Sequence, residues 1–455
     1  MESMQKKGKS KIGLIIALVV LAGLIAWIVY NGITGGINKI FSFGIKDANI
    51  SSPYSIVALL FGVFIIIALG YMLGRITIKG VSLGDAGVFL VAILFGFLFT
   101  KINPETPILG AFAVQSGDMM NFMYSKVVQN IGLVLFVASV GLIAGPKFFK
   151  DLKKNAKSYV LLGATIILIG AVVAILFGLI CGKEFSVGIL SGALTTTPGY
   201  SAAIEAANDL KDPLVTLGHA VAYPFGVIGV VLFVQLMPKL LKADMDKERA
   251  LLKIGSNNLI ERKKGSFKFD EHGLAPFAIS VVVGLLLGSI KIPIYDDVTF
   301  SLGTTGGVLV SCLIFGHFGR IGKVDFEVSP KVTKMFRELG LILFLVGAGV
   351  DGGVSLVSAI SSSGQGAMIV VYGLLGGIAM TLIPMIIGFI IATKALKLPL
   401  LFALGSITGG MTSTPALGSL IGVSKTEDVA TAYASTYPIS LVLVVIASNL
   451  IIMIM

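Results

Sequence analysis

Stretches of about 20 apolar residues follow one another from end to end of this chain, as in IGLIIALVVLAGLIAWIVY at 12–30 and IVALLFGVFIIIALGYMLG at 56–74. Coiled as a helix, a run of that length crosses the hydrocarbon core of a bilayer, roughly 30 Å thick. With 55% hydrophobic and only 13% charged residues in 455, the composition is that of a polytopic membrane protein and leaves no room for a sizeable soluble domain. The first run follows KKGKSK but is not followed by a small-x-small cleavage site, so it reads as a retained span and not a secretory signal.

The net charge of +11 is spread through short loops between the runs. That pattern orients helices in a membrane; it does not build a groove for nucleic acid. Cys181 and Cys312 both fall in apolar runs, and His219, His272 and His317 lack ligand spacing, so neither a disulfide framework nor a metal or other cofactor is expected.

The chain is also written twice. LSGALTTTPGYSAA at 190–203 is answered by ITGGMTSTPALGSL at 407–420, and GLVLFVASVGLIAG at 132–145 by GLILFLVGAGVDGG at 340–353. Earlier in each half LGDAGVFLVAILFG at 83–96 matches LGTTGGVLVSCLIFG at 302–316, and later Tyr223-Pro224 matches Tyr437-Pro438. The order of blocks is conserved between the halves, which predicts a basic N-terminus with an extra span and external loop at 1–52, a first repeat at 53–240, a connector at 241–271 and a second repeat at 272–455.

Each repeat holds five long apolar runs and one threonine-rich segment, at about 185–210 and 399–422. If these segments enter and leave the membrane on one side and the N-terminus is cytoplasmic, 28 of the 35 Lys and Arg residues lie inside; if they cross, 14 do. The positive-inside rule therefore favours re-entrant hairpins, a cytoplasmic connector and an external C-terminus. Five spans plus a hairpin per half invert the second repeat relative to the first. The expected fold is thus an all-α polytopic membrane protein with two inverted-topology repeats, in which the hairpin tips meet near the bilayer midplane. Broken helices meeting there are the architecture of secondary transporters that work by alternating access. An ion channel, which also uses polar re-entrant loops, is the alternative, and counterflow separates the two.

The candidate substrate contacts are the tip residues Thr195, Thr196, Thr197 and Pro198, with Thr412, Ser413, Thr414 and Pro415. Their hydroxyls can donate and accept, and helix arms ending there can aim amides at an anion; the plainer reading is that they satisfy their own hairpin backbone. Tyr223 and Tyr437 precede prolines where a kink could admit a ligand, or simply pack. Asp351 follows an apolar stretch and is a candidate for a coupling proton, sodium ion or substrate amine, or else ends its helix. Arg75 ends a span, where it either snorkels or attracts an anionic substrate.

With GLVLFVASVGLIAGPKFF, GALTTTPGYSAA, GLILFLVGAGVDGG, GGMTSTPALGS and the two LG-x-x-G blocks, the chain resembles the aspartate:alanine exchanger family of bacterial membrane transporters. The resemblance implies an exchanger or exporter of small carboxylates or amino acids in the inner membrane; a homodimer and an elevator-like or rocking motion are expected by analogy. Members of that family usually carry regulatory domains between their halves. Here only KADMDKERALLKIGSNNLIERKKGSFKFDE stands in that place.

Overall fold

In the computed structural model the described residues run from 56 to 455 apart from short stretches, the longest at 104–111, 115–118, 208–213, 254–266 and 362–365. The span expected at 12–30 lies outside them. The chain is overwhelmingly helical: α1 Ile56–Gly74, α2 Ala86–Phe99, α3 Met119–Phe122, α4 Gln129–Cys181, α5 Lys183–Ala193, α6 Thr197–Ala207, α7 Leu214–Leu240, α8 Met245–Lys253, α9 Leu274–Gly288, α10 Gly303–Phe318, α11 Pro330–Ser361, α12 Gly366–Ile390, α13 Leu400–Gly410, α14 Thr414–Ser424 and α15 Val429–Ile454. Strand pairs of two to four residues occupy some of the turns, such as Thr77–Ile78 with Val81–Ser82 and Ile292–Tyr295 with Val298–Phe300.

Among the described residues, seven helical stretches are long and apolar enough to cross a bilayer: Ile56–Gly74, Met120–Pro146, Lys157–Cys181, Leu214–Leu240, Pro330–Ser358, Val370–Ala395 and Val429–Ile454. The protein is therefore a multi-pass membrane protein. Three runs expected to be full spans form shorter helices, Gly87–Phe99, Leu274–Gly288 and Gly303–Phe318. Apolar length alone overestimates them, because a glycine turn starts two of them late: Gly84 and Gly303 both adopt left-handed backbone, at φ 53° and 65°. The basic segment 147–157 was expected to be a loop and is helical, so that α4 continues for 53 residues through Pro146. KFFKDLKKNAK is rich in good helix formers, and one proline removes only one backbone bond.

The chain divides into two compact units, Met1–Val128 with Val346–Val354, and Gln129–Leu345 with Ser355–Met455. In the first unit α1 packs on α2 so closely that a Cβ on Gly74 would lie 2.2 Å from the Gly84 carbonyl oxygen. The Val346–Val354 part of α11 lies against α2, where a Cβ on Gly96 would meet the Val350 carbonyl at 2.2 Å. In the second unit α9 and α10 repeat the first contact: a Cβ on Gly288 would lie 2.2 Å from the Gly303 carbonyl. The duplication in sequence is thus a duplication in packing.

The rest of the second unit is built around two helical hairpins, α5–α6 and α13–α14. The inner arm α5 packs on α7, the helix that follows its own hairpin, and α13 packs on α15 in the same way. The outer arms cross over: α6 lies on α15 and α14 on α7.

Candidate functional site

Each hairpin turns over at a threonine in left-handed backbone, Thr195 at φ 52° and Thr412 at φ 49°. For a β-branched residue this conformation is strained by about 1–3 kcal/mol and persists only where surroundings impose it. Here the imposition is visible. The Thr195 amide donates to the Gly192 carbonyl at 2.9 Å and the Thr196 amide to Ser191 at 2.9 Å; the Thr412 and Ser413 amides repeat this on Gly409 and Thr408, both at 3.0 Å. These paired bonds satisfy the last carbonyls of α5 and α13, as a Schellman ending does.

The same two threonines join the hairpins. Thr412 Oγ1 donates to the Leu194 carbonyl at 2.6 Å, and Thr195 Oγ1 to the Met411 carbonyl at 3.4 Å. The tips therefore meet, each hydroxyl bonded to the other's backbone. The next position differs between the tips. Thr196 Oγ1 accepts the Gly199 amide at 3.2 Å and so closes the N-terminus of α6. Ser413, its equivalent at the N-terminus of α14, makes no such cap; its hydroxyl is fully buried and has no hydrogen-bond partner. Thr197 is exposed and Pro198 half-buried, whereas Thr414 is 4% exposed and Pro415 is buried. Thr414 Oγ1 lies 3.4 Å from the Tyr433 hydroxyl.

Tyr223 is half-buried on α7 and Tyr437 buried on α15, the latter hydrogen-bonded to Thr305. Each has an aromatic neighbour one helical turn earlier, His219 beside Tyr223 and Tyr433 beside Tyr437. His219 Nδ1 lies 2.8 Å from Ser191 Oγ, and its ring stacks on Tyr200 at 4.1 Å. The Ser191 hydroxyl also lies 2.8 Å from the Gly188 carbonyl, so it links the ring to the backbone of α5. Tyr433 holds the equivalent place on α15: a Cβ on Gly192 would meet the His219 carbonyl at 2.6 Å, and one on Gly409 the Tyr433 carbonyl at 2.5 Å. Aligning GHAVAYP with AYASTYP would have found the pair.

Asp351 lies in the first unit; it is half-buried, hydrogen-bonded to Asn121 and within electrostatic reach of Lys126. Its helix begins at Pro330, which puts it roughly 31 Å along α11. Arg75 is exposed just beyond the end of α1.

The bases of the hairpins are anchored at opposite ends of α15. At the start of α5, Lys183 Nζ donates to the Ile452 carbonyl at 3.0 Å, near the C-terminus of α15. At the other end, the turn between α14 and α15 carries Glu427, which pairs with Arg337 at 2.9 Å and Lys334 at 3.6 Å. The connector helix α8 reaches that turn too, Arg249 donating to the Ser424 carbonyl at 3.0 Å.

Comparison with known proteins agrees with the duplicated packing. A family described as a predicted permease membrane region matches the chain twice, over residues 62–239 and 276–453. A protein of Bacteroides fragilis named an uncharacterized transporter is 27% identical over 85% of this chain and 96% of its own length. One from Desulfotalea psychrophila, named likewise, is 24% identical over 87% of this chain and 97% of its own. The first of these alignments runs over 543 positions, more than the 455 residues here, so that relative carries sequence with no counterpart in this chain. Matched in both halves, with its left-handed glycine turns and its hairpins in equivalent places, the chain belongs to the aspartate:alanine exchanger family of membrane permeases and is a multi-pass transporter.

Proposed function

We infer that the protein is a secondary active transporter, an exchanger or exporter of small carboxylates or amino acids, with its substrate site at the two hairpin tips. One observation carries this reading: hairpins whose bases lie at opposite ends of the same 26-residue helix, α15, are bonded tip to tip by Thr195 and Thr412. A helix of that length rises about 39 Å, enough to span a bilayer, so hairpins anchored at its two ends approach the middle from opposite sides. This is the arrangement of an inverted repeat, with a site that can be opened to either side in turn. The Lys and Arg distribution supports a cytoplasmic N-terminus and connector in the bacterial inner membrane, with the C-terminus outside. In this reading the repeats are re-entrant, the protein works as a homodimer by an elevator-like or rocking motion, and Asp351 with Lys126 is the candidate for coupling to a proton or sodium ion.

The test is counterflow. Proteoliposomes preloaded with L-aspartate, L-alanine or succinate should take up the same labelled compound faster than empty ones. Uptake that ignores the internal compound, or a steady ionic current, would point to a channel instead.

A further inference from the structure

The two hairpins end their inner arms alike and begin their outer arms differently. In the first, Thr196 accepts the Gly199 amide, so the N-terminus of α6 satisfies itself. In the second, the corresponding amide belongs to Ala416, and the residue placed to cap it, Ser413, has extended backbone at φ −90° and ψ 95° but makes no cap bond. The Ser413 hydroxyl is fully buried without a partner, and Pro415 supplies no amide. Buried hydroxyls are nearly always bonded, and an 11-residue helix carries partial positive charge at its uncapped start.

We propose that the N-terminus of α14 and the Ser413 hydroxyl together hold one carboxylate oxygen of the substrate. The oxygen accepts the Ser413 O–H and the first-turn amides of Thr414 and Ala416, the chemistry by which helix starts bind anions. The hydroxyls of the tip then divide into two sets. Thr195, Thr412 and Thr196 are spent within the protein: two lock the tips together and one caps α6. Ser413 remains for the ligand. Thr414, within reach of the Tyr433 hydroxyl, flanks Ser413 on the α15 side. The cap is shut off from solvent in this conformation, as one face of an alternating site must be. The assignment rests on the transport reading above and specifies its ligand end: a carboxylate, bound by the second hairpin.

The experiment compares the full chain with Ser413→Ala, Ser413→Thr and Thr196→Ala. Binding of succinate, L-aspartate and L-alanine is titrated calorimetrically, beside succinamide, alaninamide and sodium chloride as uncharged and inorganic controls. At least one carboxylate should bind where its amide and chloride do not. Ser413→Ala should weaken it about tenfold while raising the melting temperature of the ligand-free protein, because an unpartnered buried hydroxyl has been removed. Ser413→Thr should restore binding to within about threefold, one methyl being the only addition. Thr196→Ala should lower the melting temperature, through loss of the α6 cap, and weaken binding less than Ser413→Ala does. The proposal is overturned if Ser413→Ala binds like the parent, if amides or chloride bind as well as the acids, if no carboxylate binds, or if Thr196→Ala weakens binding as much as Ser413→Ala. Counterflow in the parent chain separates the two failures. Counterflow that survives in Ser413→Ala with unchanged half-saturation removes this subsite and leaves the transporter standing; a parent without counterflow removes the transporter reading itself.

Discussion

The first hairpin, Lys183–Ala207, and the second, Leu400–Ser424, share a backbone down to the left-handed threonine at the tip, yet they present opposite surfaces. Thr197 is exposed and Thr414 is 4% exposed; Thr196 is bonded within its own arm and Ser413 is not. What the duplication preserves is what the backbone demands: a close glycine on the inner arm, a residue at the αL turn, a proline in the first turn of the outer arm. What it lets go is the side chain that the backbone does not need, and there the halves have become chemically distinct. The crossed tip bonds differ too, 2.6 Å from Thr412 against 3.4 Å from Thr195, so one half of the lock is a strong hydrogen bond and the other a weak one.

The largest effect expected from this asymmetry is in access. With Cys181 and Cys312 replaced, a cysteine at Thr197 should react with a small thiol reagent more than an order of magnitude faster than one at Thr414, since reactivity follows exposure. Equal rates would erase the distinction drawn between the tips. Next in size is stability. Thr412→Val leaves the Leu194 carbonyl without its donor and should lower stability by about 1–3 kcal/mol, read as a fall in melting temperature. Thr195→Val should do less, about 1 kcal/mol or under.

A glycine sharpens the same contrast, because it relieves the αL strain while removing the hydroxyl. Thr195→Gly should be near neutral or stabilising in a thermal melt, and Thr412→Gly should still destabilise. Identical behaviour of the two glycine variants would show that the 2.6 Å and 3.4 Å bonds contribute alike. The smallest effect lies at the hairpin bases. Asp244 caps the connector helix by accepting the Lys247 and Asp246 amides, and the Lys247 amide above all holds its carboxyl below the usual carboxylate range. A lowered folded-state value stabilises the helix above the unfolded value of about 3.9 and ceases to do so as the pH falls through the folded one. Asp244→Asn should therefore speed amide exchange in Met245–Lys253 at neutral pH, with the difference from the parent shrinking below about pH 3.9. Because α8 reaches Ser424 through Arg249, any spread of that exchange should go to the second hairpin and not the first.

Much of the architecture was legible because it is written in length and repetition. The apolar runs named the membrane, the paired phrases named the hairpins, and proline and glycine marked where the helices break. Three helices are shorter than their apolar runs; two of them start at or just after the left-handed glycines Gly84 and Gly303, whose carbonyls lie against Gly74 and Gly288 in contacts that the apolar pattern does not report. The roles of the tip hydroxyls were illegible for a similar reason. Whether Thr412 binds a ligand or locks a neighbour depends on Leu194, 218 residues away, and whether Ser413 is free depends on a bond that its counterpart Thr196 makes and it does not. The equivalence of His219 to Tyr433 was legible from the matched Tyr-Pro blocks, but its bond to Ser191, 28 residues away, was not.

The crossed tips also set a clock for biogenesis. Leu194 leaves the ribosome 218 residues before Thr412, the donor that completes it, and the outer arm α6 emerges long before α15, the helix on which it rests. At about 5–20 residues per second, that interval is roughly 10–40 s. For that time the newborn first hairpin must shelter its polar tip with borrowed partners, water or a membrane chaperone among them. A chain that stalls or is truncated in the connector would leave a half-protein with a greasy exterior and an unanswered polar point, a natural substrate for membrane proteases.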